Sequence, residues 1–325
     1  MAASRIRLRA LVAAMGFAAT TASALDATLV DLGTLGGRNA YAAAVSQGGR
    51  VAGCAETASG EIHAFVWHGG AMTDLGRGTE AAGDSCALAV NDRGLVAGRA
   101  STGELVLWQD GAPRLLGLRG DVGDMNEAGM LAGSRHDGAT TRAFVYADGV
   151  VVDLGEPGVR SEATAVNARG QVVGSANGRA FVHESGVMRD LGTLGGNMSV
   201  ARAINANGEI VGQAANEFGQ PTAFIHRGTM QALPGPSYSS AVGISASGKV
   251  VGSGEGVHGY VISGGNVTRL SDLPAVVSRG WRNLEPTAMN DRGWIVGTAE
   301  NAGGELRAFL LVPRTPAKPY RPAAR

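Results

Sequence analysis

Polar and apolar positions alternate cleanly along Ser199-Val-Ala-Arg-Ala-Ile-Asn205. In an extended chain Ser199, Ala201, Ala203 and Asn205 share one side, and Val200 and Ile204 the other. A glycine-bearing turn leads to a second apolar run, Ile210-Val-Gly212, and a polar loop to a third, Ala223-Phe-Ile225. In other copies a fourth run ends in Asp-Leu-Gly, as at Asp74, Asp153 and Asp190. These short Val-rich stretches separated by turn residues predict strands, four to a unit.

The unit recurs seven times, its second run ending at Gly53, Gly98, Gly133, Gly174, Gly212, Gly252 and Gly297. Four strands in ~40 residues is the size of a propeller blade. A solenoid has a similar period, but two features favour a closed ring. The small side of the first strand suits a crowded centre. The last copy also stops after its third strand, while a spare fourth strand, Thr28-Leu-Val-Asp-Leu-Gly33, stands near the start of the chain. The expectation is therefore an all-β chain: a seven-bladed β-propeller of four-stranded antiparallel blades. Its N-terminal strand completes the last blade and closes the ring, leaving no exposed edge there.

The turn between the first two strands carries Asn at its first position and Gly at its fourth, as in Asn91-Asp-Arg-Gly94, Asn167-Ala-Arg-Gly170 and Asn290-Asp-Arg-Gly293. That is the mark of a type I turn with a glycine bulge. The asparagine caps its own turn, and Ser46 and Ser245 substitute by the same chemistry. The recurring asparagines are thus read as structural rather than as a catalytic ring.

Arg5, Arg7 and Arg9 precede an apolar stretch from Ala10 to Ala19 and an Ala22-Ser23-Ala24 cleavage site. Residues 1–24 read as a secretory signal peptide, 25–313 as the propeller and 314–325 as a disordered tail. The expected location is the periplasm or the cell exterior. No later run reaches the ~20 apolar residues of a membrane span. Net charge is zero, with 17% charged residues scattered along the chain, which argues against nucleic acid as a partner. The two cysteines, Cys54 and Cys86, fall near one face of neighbouring blades and form a candidate disulfide; two free buried thiols are the alternative.

The blocks His63-Ala-Phe-Val-Trp67, Asp31-Leu-Gly-Thr-Leu-Gly-Gly37, its copy at 190–196, and Ala165-Val-Asn-Ala-Arg-Gly-Gln-Val-Val-Gly174 resemble the HAF family of bacterial extracellular repeats. The resemblance spans nearly the whole mature chain. It implies an exported bacterial protein of a group with no established enzymatic activity. Members often end in an anchoring tail, whereas this chain ends in a polar, proline-rich one.

No nucleophile elbow, zinc helix or phosphate loop is present. Gly254-Glu-Gly-Val-His-Gly259 lies between strands and opens no helix, so it is not a dinucleotide fingerprint. His183 and His226 share a repeat slot with Trp67, Trp108 and Tyr146, which marks packing. His63 and His258 share another with Arg142, Arg179 and Arg307. Asp121, Asp124 and Asn126 lack the order of a calcium loop. No cofactor and no metal are expected.

Turns from strand one to two and from three to four are short and uniform; the other connections vary, and antiparallel geometry puts all of these on one face. Function resides on variable loops held by a rigid scaffold. The ligand-binding candidates there are Arg279, Trp281, Arg282 and Glu285 on the last long connection, with Tyr238 and Phe218 on two others. Trp281 either stacks on a ligand or tucks under its own loop. The reading is a non-enzymatic binding module whose partner is unknown, an extracellular protein or a glycan. The alternative is a propeller enzyme, a glycan hydrolase or lyase, using the same face. Clustered carboxylates of raised pKa at the channel mouth would favour it.

Overall fold

The computed structural model describes residues 26–76, 83–138 and 140–314. The expected leader, and the expected tail apart from Arg314, lie outside the described residues. The architecture is all-β, and the described strands pair into six antiparallel sheets, five of them four-stranded. The fifth repeat shows the logic: Gly195–Ile204, Ile210–Asn216, Pro221–His226 and Met230–Ala232 lie side by side in chain order. A bulge between Ala201 and Ala203 bends the first strand. The backbone there comes so close to Gly212 that a Cβ would collide with the carbonyl of Val200 and crowd the ring of Phe224. The same collision recurs at Gly53, Gly174, Gly252 and Gly297. This close approach is why each second strand carries a glycine.

One sheet departs from the four-strand expectation. Strand Ala112–Met125 is fourteen residues long and pairs first with Glu104–Gln109 and then with Leu131–Asp137. It ends the second repeat and begins the third, joining both into a seven-stranded sheet. The spacing from Gly98 to Gly133 is the shortest between successive repeats, so no chain is left for a loop.

Ala27–Asp31 pairs antiparallel with Leu306–Pro313, from Ala27 opposite Pro313 to Asp31 opposite Phe309. The N-terminal strand thus supplies the fourth strand of the last sheet. Among the described residues the buried apolar side chains fall into seven clusters, each spanning consecutive repeats. One joins the last repeat to the first: Val296, Ala308 and Leu310 against Ala40, Val51 and Phe65. Trp108, fully buried, donates its indole N–H to the carbonyl of Leu75 at 2.9 Å, as a packing slot requires. Cys54 and Cys86 form a disulfide between the first and second repeats.

The asparagine turns form as their spacing predicts, with Gly94, Gly170 and Gly293 at positive φ. Asn290 Oδ1 accepts the N–H groups of Arg292 and Trp294 at 3.1 and 3.0 Å. Each asparagine has a second task that the turn signature does not reveal. Asn126 Nδ2 donates to the carbonyl of Asn167, Asn167 to that of Asn205, and Asn205 to that of Ser245. Asn290 Nδ2 donates to the carbonyl of Ser46 at 2.8 Å. A belt of side-chain amides therefore links successive repeats. Serine caps through Oγ, as Ser46 does for the Arg50 N–H, but has no amide to pass on. At those two steps the links are Gly48 N–H to Asp92, and Ala246 N–H to the carbonyl of Asp291.

Candidate functional site

The aspartate of Asp-Leu-Gly sits opposite the ring of the neighbouring strand, as Asp190 does opposite Phe181. This register brings it to the basic slot: His63 to Asp74 at 3.0 Å, Arg179 to Asp190 at 3.1 Å, Arg142 to Asp153 at 2.9 Å. Arg135 and Arg142 together hold the Asp153 carboxyl below its usual range. The sixth repeat has Arg269 at that position, opposite Tyr260, and His258 pairs instead with Glu285 at 3.1 Å. These recurrent pairs are structural. Partial burial pushes His183 and His226 below the usual imidazole range, as a packing slot also requires.

The long last connection decides between the two readings of Trp281. It carries a 3₁₀ turn, Leu270–Asp272, and a single helical turn, Pro274–Val277. Leu270, Leu273, Val276, Trp281 and Leu284 point inward and pack with Leu29, Val261 and Ile295. Trp281 is 8% exposed, so its indole is a core side chain and not a stacking platform. The spacing of Leu270, Leu273 and Val276 already carried that signal in the sequence. Arg282 pairs with Glu300, Glu285 with His258, and Arg279 is exposed. The connection is a plug between the sixth and last sheets, and its four candidates do not converge on a site.

Phe218 and Tyr238 behave differently. Phe218 is 77% exposed at the tip of Asn216-Glu-Phe-Gly219. Asn216 Oδ1 accepts the N–H groups of Phe218 and Gln220 at 3.0 and 2.9 Å, so the capping chemistry of the repeat fixes the backbone that carries this exposed ring. Tyr238 is 53% exposed with φ of 50°, a left-handed conformation that a bulky side chain rarely adopts. Its neighbours enforce it: the carbonyl of Ser237 accepts the Glu255 N–H, and Ser239 Oγ accepts the Ala223 N–H. Met198, 57% exposed, stands at the same end of the fifth sheet. Three apolar side chains thus crown the variable face over the fifth and sixth repeats.

A second feature lies on the inside. A cavity of about 230 Å³ is lined by first-strand residues of all seven repeats, from Ala43 and Leu88 to Val242 and Thr287. Asp124 belongs to it, in a slot filled elsewhere by Ala44, Ala89, Ala165, Ala203, Gly243 and Ala288. Its carboxylate accepts the N–H groups of Met125 and Val166 at 2.8 and 3.2 Å. Burial outweighs those bonds and pushes its pKa up to about 6. Burial also raises Asp291, which accepts the Ala206 N–H and the side-chain amide of Gln47. Asp121 turns away to Arg99 at 2.6 Å, so it does not join Asp124 around a cation.

No family model matches the sequence, and no curated protein does. Solved structures do. The WD40 β-propeller domain of Doa1 is similar with a TM-score of 0.55 at 16% identity, over 87% of this chain and 97% of that one. A chain of a mitotic checkpoint complex gives 0.55 at 13% identity, over 96% and 99%. YCF48, solved bound to a D1 peptide, gives 0.54 at 11%, over 91% and 98%. At such identities the likeness shows the fold, that of a β-propeller. Among the described residues no helix is long and apolar enough to cross a membrane.

Proposed function

We propose that the chain is an exported protein-binding module of the HAF repeat type, a closed propeller of seven blades that docks a partner on its variable face. The seven-stranded sheet counts as two blades sharing one strand. Closure is supported by the Asn290 to Ser46 bond, by Thr287 Oγ1 donating to the carbonyl of Ala42 at 2.8 Å, and by the cavity shared among all repeats. The observation that carries the binding assignment is the exposure of Phe218 and Tyr238 on one face, each on a turn whose backbone is hydrogen-bonded in place. Large aromatic side chains carried on a fixed backbone need little reordering on docking and make effective anchors. The peptide-bound propeller among the similar structures supports a peptide or protein as occupant.

The enzyme alternative has one observation in its favour, the raised carboxylates Asp124 and Asp291. Both lie toward the asparagine-turn end of the channel, away from the variable face. There the Gln47 backbone N–H bonds Glu127 and its side-chain amide bonds Asp291, so Asp291 is engaged in the scaffold.

The test is selection of peptides from a random display library on the purified protein, with a glycan array in parallel. Selected peptides are then titrated against a Phe218→Ala/Tyr238→Ala double variant. Loss of two anchors is expected to weaken binding by about thirtyfold or more. Failure to enrich any peptide, or equal affinity for the double variant, refutes the assignment. Saturable binding to a glycan alone replaces the protein partner by a carbohydrate.

A further inference from the structure

A ring of repeats needs one copy of a site, so the residues that break the repeat inside the channel mark where one would be. Counting back ten residues from each repeat glycine gives a slot occupied by Ala43, Leu88, Gly123, Thr164, Val242 and Thr287, and in the fifth repeat by Arg202. Among the described residues Arg202 is the only basic one lining the central cavity. It is exposed to the space within, and among the described residues it makes no hydrogen bond or ion pair. Three arginines on or beside other strands are engaged instead: Arg99 with Asp121, Arg135 with Asp153, Arg160 with Glu162. Asp124, the second repeat-breaker, lines the same cavity.

We infer that the central cavity is a second binding site, for a small zwitterion bearing an ammonium and a carboxylate group. The guanidinium of Arg202 offers a planar fork of N–H donors, which suits a carboxylate. A plain anion meets opposition from Asp124, Glu127 and Asp291 around the same space. A plain cation meets Arg202. A ligand carrying both charges satisfies both sides. Asp124 uses its oxygens on two backbone N–H groups, and Asp291 on one backbone N–H and the Gln47 side-chain amide, yet each carboxylate oxygen has a further lone pair for an ammonium donor. The space of about 230 Å³ holds a molecule of amino-acid size and no folded partner. This site is independent of the docking face, which lies at the other end of the strands.

The probes are ω-amino acids of increasing charge separation: glycine, 3-aminopropanoate, 4-aminobutanoate and 6-aminohexanoate, each beside its N-acetyl counterpart. Binding to the purified full chain is followed by calorimetry. One member of the series is expected to bind saturably, with N-acetylation or Arg202→Gln weakening it by about tenfold or more, as loss of a charge-assisted pair does. Arg202 packs against no core cluster, so Arg202→Gln should melt like the parent protein. Asp124→Asn, which keeps an acceptor for the backbone, should weaken the ammonium-bearing ligand and not its acetylated form. No saturation by any probe up to roughly 10 mM overturns the site. So does unchanged binding to Arg202→Gln. Equal affinity for the acetylated compounds overturns the zwitterion and leaves a plain carboxylate site. None of these outcomes bears on the Phe218 and Tyr238 anchors.

Discussion

Replacing Asn290 by serine and by alanine separates the two tasks of its carboxamide. The side chain is 3% exposed. It accepts two N–H bonds within its own turn and donates one, at 2.8 Å, to the carbonyl of Ser46 across the junction of last and first repeats. Alanine removes all three and strands buried polar groups. At about 1 kcal/mol for each neutral bond the loss is about 3 kcal/mol. Serine retains one acceptor bond, as Ser245 does for the Lys249 N–H at 3.1 Å, and gives up the other turn bond and the bond across the junction. Its cost is about 2 kcal/mol. For a domain of this size each kcal/mol moves the melting temperature by roughly 2 °C, so alanine should lower it by about 6 °C and serine by about 4 °C. Differential scanning calorimetry with the disulfide intact measures both. Asn91 supplies an internal comparison, because its belt bond to Asn126 is stretched to 3.5 Å. Asn91→Ser should cost less than Asn290→Ser. If serine proves as damaging as alanine at Asn290, the asparagine is not divided between cap and belt as argued. If alanine is tolerated without a shift, the belt does not hold the junction.

Trp281→Ala should destabilise by about 4 kcal/mol, as for a large side chain deleted from a packed core, and lower the urea midpoint accordingly. A variant of unchanged midpoint would return Trp281 to the surface. Asp124 gives a pH signature of definite sign. Its folded pKa, about 6, stands above the ordinary carboxylate value, so the folded state binds the extra proton between about pH 4 and pH 6. Its contribution favours folding below pH 4 and is lost as pH rises through 6. The amount is at most about 3 kcal/mol, and less where channel water screens it. Comparing urea midpoints at pH 4.5 and 7.5 for the parent and Asp124→Asn isolates this contribution. The difference between the two pH values should change by the Asp124 share, and an unchanged difference refutes the burial.

Much of the scaffold was legible because its cause is local. The asparagine turn, the alternation of Ser199 to Asn205, and the shared slot of Trp108 and His183 follow from rules acting over a few residues. The pairing of Thr28 to Gly33 with the last sheet was legible from one missing strand, which is a matter of arithmetic. The amide belt was not, because Asn and Ser cap a turn equally well and only the distant carbonyl distinguishes them. The preference for asparagine over serine in most copies was the available hint of a second donor. The merged sheet was hidden in the short spacing before Gly133. Trp281 drew attention through its flanking arginines, although the leucines beside it carried the stronger, inward-pointing pattern.

What sets the exceptional residues apart is that the common ones are now accounted for. The repeat glycine answers a backbone collision, the asparagine a turn and a belt, the aspartate a basic partner, and the serine of Ser161 or Ser199 an alanine N–H of the preceding sheet. A residue that departs from its slot gives up one of these local gains or introduces a cost, so some other interaction must offset it. At Arg269 the offset is visible, since Glu285 takes over His258. At Tyr238 the bonds made by Ser237 and Ser239 hold the left-handed backbone, which of itself costs about 1 kcal/mol or more. At Arg202 no offset is visible: the arginine carries a charge into a narrow channel, and within the described residues no hydrogen bond or ion pair meets that cost, which is the physical reason to look for a ligand there.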